Sequence, residues 1–403
     1  MPHNLSNLAT RTAAKKKLLH ALTTSMMIMD ILPVWDAAYG AFKTEVRKAT
    51  LSWISDDDID QIIYSTYLEL PGRTKALDGL LTLTLSASSL DTLADQILDQ
   101  LTSPKDYWFC FPLPQIIVPE DIRLSSSVTI VRNRVDAQRG MVRAGDVTAS
   151  DKGALLKVHG SGYVNGERTQ SAFVDAMTKT KWALQIAMLL GYFSRTSKRH
   201  SPLVLALGGT EQQDILDAKW TCDQPRITDY CRVRLGIGLS RFLSELTFTK
   251  GEWTARQVES LQQHVGKLLT AVQDPVAQLN VKSIRRSLEW AFDAGIDEDE
   301  HMRFIKTCIG LEAAMSEQNE EIGITEQLAD RCAFLLNKTA TARLETRNLM
   351  RKVYQLRSKL VHGVAAGLSE SERTLAQQAE KILTAVLRTE LKAVMDWYVT
   401  LKL

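Results

Sequence analysis

The chain has 403 residues, enough for two or three domains and for a core that needs no disulfide or metal staple. Hydrophobic residues make up 45% and charged residues 24%, which excludes wholesale disorder and fibrous repeats. With 49 Lys+Arg against 47 Asp+Glu the formal net charge is +2, so a general cationic coat for nucleic acid is excluded and any such site is a local patch.

Taken in chain order, residues 8–50 read as mostly helix, with Leu18, Leu19, Leu22, Met26, Met29 and Leu32 at roughly helical spacing. The apolar run 25–35 contains Asp30 and Pro33 and falls short of the roughly 20 residues that a membrane span needs. Lys15, Lys16 and Lys17 precede it, but no clean cleavage site follows. The expectation is an amphipathic first helix, no membrane and a cytoplasmic location. Ser55, Asp56, Asp57 and Asp58 read as a cap and acidic first turn rather than as metal ligands. From residue 107 the texture turns to strand: 107–113, 128–131 and 154–158 are rich in aromatic and β-branched residues. Gly160-Ser161-Gly162 precedes a second turn at Asn165-Gly166, so it predicts a hairpin or bulge rather than a phosphate loop. A helix is expected over 170–193, a polar surface connection over 194–201 and a strand over 203–207.

After residue 226 the pattern predicts helices only, over 228–247, 254–273, 276–294, 300–317, 322–337, 341–362 and 370–400. Asp297 to Glu300 reads as an acidic helix start, and Ser369 with Glu372 as a capping box. The fold class is α+β, predominantly α. A mixed α/β regulatory or sensor-like domain over 1–225 is followed by an all-α bundle over 226–403. The five cysteines, Cys110, Cys222, Cys231, Cys308 and Cys332, include no C-x-x-C pair and are odd in number, the pattern of reduced intracellular thiols. His159, His200, His264 and His301 each stand apart from ligand-type neighbours, so no metal and no cofactor is expected.

Chemistry concentrates near the C-terminus. Between 338 and 359 seven basic residues face one acid, Glu345, for a local charge of +6. Arg343, Arg347 and Arg351 fall at i, i+4 and i+8 along one helix face, with Lys352 beside them. Like charges at that spacing cost helix stability; the functional alternative to a solvated face is a track for RNA phosphates. The helix then runs into Arg357-Ser358-Lys359-Leu360-Val361-His362-Gly363. Ser358 and His362 share a face, whereas Arg357 lies about 140° from His362 at ~100° per residue. Either the long side chain reaches round, the helix is irregular, or the matching His belongs to a second chain. Gly363 is expected to end the helix, with His362 in the last turn. An imidazole near a guanidinium suits metal-independent RNA cleavage: imidazoles move protons to and from the 2′-OH and the leaving oxygen, and the guanidinium stabilises charge on phosphorus. Two acid–base groups are needed, and a symmetric dimer would supply the second.

The stretch 285–363 resembles the HEPN superfamily, specifically the ApeA-like HEPN domains of bacterial antiphage defence. The likeness is carried by Trp290, Phe304, Gly310-Leu311-Glu312, then Leu328, Arg331 and Leu335, and finally Tyr354 to Gly363 with its Arg-x4-His. The resemblance implies a helical bundle that dimerises so that two motifs face one cleft. It implies a metal-independent endoribonuclease, commonly toxic, aimed at tRNA or other RNA during phage infection, acting as a homodimer or higher homo-oligomer and triggered by a phage-encoded component. Carried onto this chain, His362 is the acid–base residue, Arg357 stabilises the phosphate and Ser358 fills the polar position after the Arg. Lys359 lies beside the motif. Glu312 and Tyr354 match recurring positions that orient or brace it; Glu312 equally suits a buried partner of Arg331. The alternative is a non-catalytic HEPN module that binds RNA or protein.

Overall fold

The computed structural model describes residues 8–24, 37–49, 56, 59–60, 62–63, 66, 87–102, 105–132, 153–162, 171–196, 215–222, 231–249, 253–274, 279–315, 324–363 and 368–401. Helices α1 (Leu8–Thr24), α2 (Ala37–Ala49) and α3 (Ala87–Thr102) come first. Strands β1 (Lys105–Leu113), β2 (Ile122–Arg123), β3 (Val128–Arg132) and β4 (Ala154–Gly162) lead to α4 (Ser171–Leu189). Then follow β5 (Phe193–Arg195), β6 (Asp217–Cys222), β7 (Cys231–Arg234), α5 (Ile237–Glu245) and β8 (Leu246–Phe248). The chain closes with α6 (Ala255–Gln273), α7 (Leu279–Ile296), α8 (Glu300–Met315), α9 (Ile324–Leu336), α10 (Ala340–Val361) and α11 (Glu370–Leu401). The protein is therefore predominantly helical with a smaller β component.

The chain forms two compact units that do not follow the 225/226 division suggested by sequence texture. One comprises Met1–Tyr107, Gly160–Ala176 and Thr221–Asp229; the other comprises Trp108–His159, Met177–Trp220 and Tyr230–Leu403. The strands between 108 and 159 thus group with the C-terminal helices, because the sheet needs a helical layer over its apolar face.

The first unit is built on α1, α2 and α3, whose buried residues include Leu18, Phe42, Val46, Leu93 and Ile97. Arg11 and Lys15 on α1 reach Asp91, Asp95 and Asp99 on α3. The Lys43 ammonium, only 7% exposed, pairs with the Asp60 carboxylate at 2.6 Å, and the Tyr39 hydroxyl donates to the same carboxylate.

In the second unit the six-stranded sheet runs in the order β2-β3-β4-β1-β6-β7. β3 pairs antiparallel with β4, with Thr129 opposite Lys157, and β6 pairs antiparallel with β7, with Lys219 opposite Arg232. β4 alternates strictly between buried and half-buried residues, as a strand covered on one face must. Gly160-Ser161-Gly162 ends this strand, and Gly162 adopts a φ of +148° that leaves no room for a Cβ beside Ser171 and Ala172. Five strands were not expected: β2, β5, β6, β7 and β8. The predicted helix over 170–193 ends at Leu189 and is followed by β5, which takes the start of the predicted surface connection over 194–201, and the predicted helix over 228–247 is corrected to β7, α5 and β8. The predicted features at 25–35, 163–166 and 203–207, and Ser55, Asp57 and Asp58, lie outside the described residues.

The helical part of this unit is two hairpins crossed by a long helix. α7 packs along α8, α9 along α10, and α11 lies against α6, α7, α8, α9 and α10. Phe292, Phe304, Cys308, Leu311, Val353, Leu356, Leu383 and Leu387 fill the core. At Gly310 a Cβ would meet Leu383 at 3.0 Å, so α8 and α11 approach where the side chain is absent. Ser287 closes the α7–α8 contact by donating to the Gly310 carbonyl at 2.7 Å. The capping signals read from sequence are in place: Asp299 accepts from the amides of His301 and Met302, and Ser369 and Glu372 form their reciprocal box.

Candidate active site

Helix α10 carries the predicted motif. Its start is fixed by Thr339, whose hydroxyl accepts from the Ala342 amide at 3.3 Å. Its end is fixed by Gly363, at φ +70°, whose amide returns to the Leu360 carbonyl at 3.1 Å. A left-handed residue there costs glycine nothing, and it stops the helix with His362 at the cap. His362 donates its amide to Ser358 and its side chain is exposed, beside an exposed Val361. Ser358 and Lys359 are exposed too.

Arg357 points elsewhere. Its guanidinium pairs with the Glu312 carboxylate of α8, at 3.2 Å to Oε1 and 3.3 Å to Oε2. Glu312 therefore partners Arg357; the Arg331 side chain instead donates to the Met315 carbonyl. Burial lifts the Glu312 carboxyl above its ordinary pKa, and Arg357 and the Tyr354 hydroxyl pull it back in part. Tyr354 is buried and donates to the Cys308 carbonyl at 3.5 Å. Its phenol is pushed upward, first by burial and then by Glu312. Burial likewise pushes the neighbouring Cys308 and Cys332 thiols up to about 12, which makes both inert packing groups. The Arg357 Nε is buried without a hydrogen-bond partner among the described residues. An unmet buried donor costs about 1–3 kcal/mol, a cost that functional sites retain more often than ordinary cores.

Within one chain, then, the two motif residues diverge. α10 is a helix through Val361, so irregularity does not bring Arg357 round to His362. The guanidinium is drawn toward α8 while the imidazole stands at the exposed helix end.

The predicted phosphate track is also divided. Arg351 forks onto Glu326 of α9 at 2.8 and 2.7 Å. Arg347 reaches Glu326 at 3.2 Å and Asp330 at 2.8 Å. Arg343 donates to the Asn337 carbonyl at 3.0 Å and lies 4.3 Å from the centre of the Phe334 ring. These three arginines hold the α9–α10 hairpin together, a role the sequence signalled only through the matching i, i+4 spacing of Glu326 and Asp330. The exposed face of α10 instead carries Asn348, Lys352, Gln355, Lys359 and His362, at the three- and four-residue steps of one helical stripe. Of the predicted RNA-binding set, Lys352 is the member that shares the face of His362.

No protein-family model matches the chain, and neither a curated protein nor a solved structure matches it. Among the described residues no group of three or more His, Cys, Asp and Glu side chains is arranged to hold a metal ion, and no helix is long and apolar enough to cross a membrane. His264 is joined by Tyr192 at 2.9 Å and Ser260 at 3.2 Å, a small hydrogen-bonded cluster.

Proposed function

We propose that the chain is a HEPN-type, metal-independent endoribonuclease that works as a homodimer in the cytoplasm, cutting RNA, with tRNA the leading class, when a phage component releases it. The observation that carries this reading is the pairing of a braced guanidinium with an exposed imidazole at one helix end. Glu312 fixes Arg357 at the edge of the bundle, and His362 caps the same helix in reach of a large substrate. Because the two side chains diverge within one chain, the site is composite: a second α10 brings its own His362 to the cleft. One imidazole takes the proton of a ribose 2′-OH, whose oxygen attacks the adjacent phosphorus. The second protonates the departing 5′ oxygen, leaving a 2′,3′-cyclic phosphate. Arg357, already ordered by Glu312, stabilises the charge that grows on the phosphoryl oxygens without reorganising. Lys352 and Lys359, on the stripe with His362, seat the flanking phosphates, and Ser358 lies one turn from the imidazole.

The test is to express wild type and His362→Ala in cells, with and without phage, and to sequence RNA 5′ ends. New ends are expected with wild type only, while His362→Ala retains the melting transition of the wild type, since an exposed capping side chain carries little packing. Wild type that yields no new ends in either condition, with His362→Ala equally protective or inert, would assign the domain to RNA or protein binding without cleavage.

A further inference from the structure

The sheet of the second unit carries charge and an aromatic ring in a line. Cross-strand partners point to the same side of a sheet, so the registers place Arg123, Thr129 and Lys157 on one face of β2, β3 and β4, and Lys219 and Arg232 on one face of β6 and β7. The central strand β1 lies between the two groups. Burial alternation relates them: the alternate residues Leu156 and Val158, Phe109 and Phe111, and Ala218 and Trp220 are buried, which leaves Lys157, Trp108 and Lys219 on the less buried side. The Lys157 ammonium lies 4.6 Å from the centre of the Trp108 ring, and His159 meets that ring edge-on at 5.1 Å. Two residues on, the Cys110 thiol, lifted to about 11 by burial, feels Lys157 from one neighbouring strand and Lys219 from the other. Trp108, Lys157 and Lys219 are half-buried, and Arg123 and Arg232 are exposed. The carboxylates of the same parity, Asp106 and Asp217, sit near strand ends, and Asp217 stands opposite Arg234.

This arrangement has a cost. Lys219 and Arg232 are like charges placed directly opposite, which weakens a strand pair. Cations spread over a span of about 24 Å, at ~4.8 Å per strand, around a partly accessible indole suit a polyanion with planar groups. A duplex hides its base faces in the stack, whereas a single strand can lay one on an aromatic side chain while its backbone follows the cations.

We propose that this face of the sheet binds single-stranded nucleic acid, with a base stacked against Trp108 and phosphates held by Arg123, Lys157, Lys219 and Arg232. It is a second nucleic-acid site, built from sheet residues alone, and it stands whether or not α10 cleaves RNA.

The test uses the full chain carrying His362→Ala, so that the probe is not consumed. Fluorescence polarisation compares a labelled oligouridine, an oligothymidine of the same length and a duplex. Single strands are expected to bind at least tenfold more tightly than the duplex. The oligouridine and oligothymidine arms show whether RNA or DNA is preferred. Lys157→Gln with Arg232→Gln should lower affinity tenfold or more and reduce the salt slope by about 1.4, at roughly 0.7 per cation removed. Arg232→Gln alone, on an exposed edge position, guards against loss by misfolding and should weaken binding severalfold. Equal affinity for duplex and single strand, unchanged affinity in both sheet variants, or loss only with Lys352→Glu and Lys359→Glu would overturn the proposal; the last result would leave the α10 site intact.

Discussion

Glu312 is a carboxylate held where burial opposes its charge, and the ion pair with Arg357 exists only when that charge is present. Its folded pKa lies above the ordinary 4.5, so the neutral form is the one folding favours. That contribution to stability is present below pH 4.5 and is lost as pH rises through the raised value. For the proposed cleavage the consequence has the opposite sense: acidification protonates Glu312 early and frees the guanidinium. RNA cleavage is therefore expected to fall on the acid side at a higher pH than an ordinary carboxylate would give. Glu312→Gln, neutral at every pH, should lose that acid limb and cut about tenfold more slowly at neutral pH, ~1.4 kcal/mol of positioning. Its melting temperature at neutral pH should not fall below that of wild type, because the neutral side chain is the one folding favours, and this separates positioning from folding. A pH–rate profile of both proteins, with melting curves alongside, decides it. At this scale the sequence disclosed Arg357, His362 and the stop at Gly363, because each depends on local spacing. It left the partner of Glu312 open, since whether α8 meets α10 at Arg357 or α9 at Arg331 is decided by packing between distant segments.

Helix α10 has two faces with separate duties. Arg347 and Arg351 are committed to Glu326 and Asp330, so a locally basic count of +6 overstates what RNA would meet. Exposed ion pairs contribute little individually and are screened by salt. Arg347→Glu with Arg351→Glu should lower the melting temperature, more at low salt than at high, and leave RNA affinity nearly unchanged. Lys352→Glu with Lys359→Glu should do the reverse, weakening RNA binding by about tenfold with little change in melting. Electrophoretic shifts and melting curves at two salt concentrations test both. The bundle helices were legible to within a few residues because their apolar residues keep helical spacing over long stretches. Strands β6 and β7 were not. Asp217-Ala218-Lys219-Trp220 and Arg232-Val233-Arg234-Leu235 do alternate with a period of two. The second run abuts Leu239 and Leu243 of α5, which lend it a helical look, and Gly236 and Gly238 mark the break between them.

For the whole molecule, the proposed composite site would tie activity to association. A single copy presents its Arg357 and His362 on divergent sides of α10, so monomers should be inactive. With the releasing phage component at saturation, the cleavage rate is expected to rise with the square of protein concentration at high dilution and linearly once dimers saturate. Light scattering across the same range should show the mass doubling where the order changes. Second-order behaviour that is absent, with a monomer fully active, would require both acid–base groups from one chain. The division into domains was the least legible feature, because a boundary in composition need not be a boundary in contact. The aromatic strand at 107–113 belongs in large part with helices that follow it by more than a hundred residues. The first unit is drawn from three separate stretches, threaded between those of the second. No single proteolytic cut or gene truncation can therefore release one unit whole. On the ribosome, the last stretch of the first unit, Thr221–Asp229, emerges before any of the five bundle helices from Leu279 onward. The helix that carries Arg357 and His362 is therefore made only after every stretch of the first unit is out.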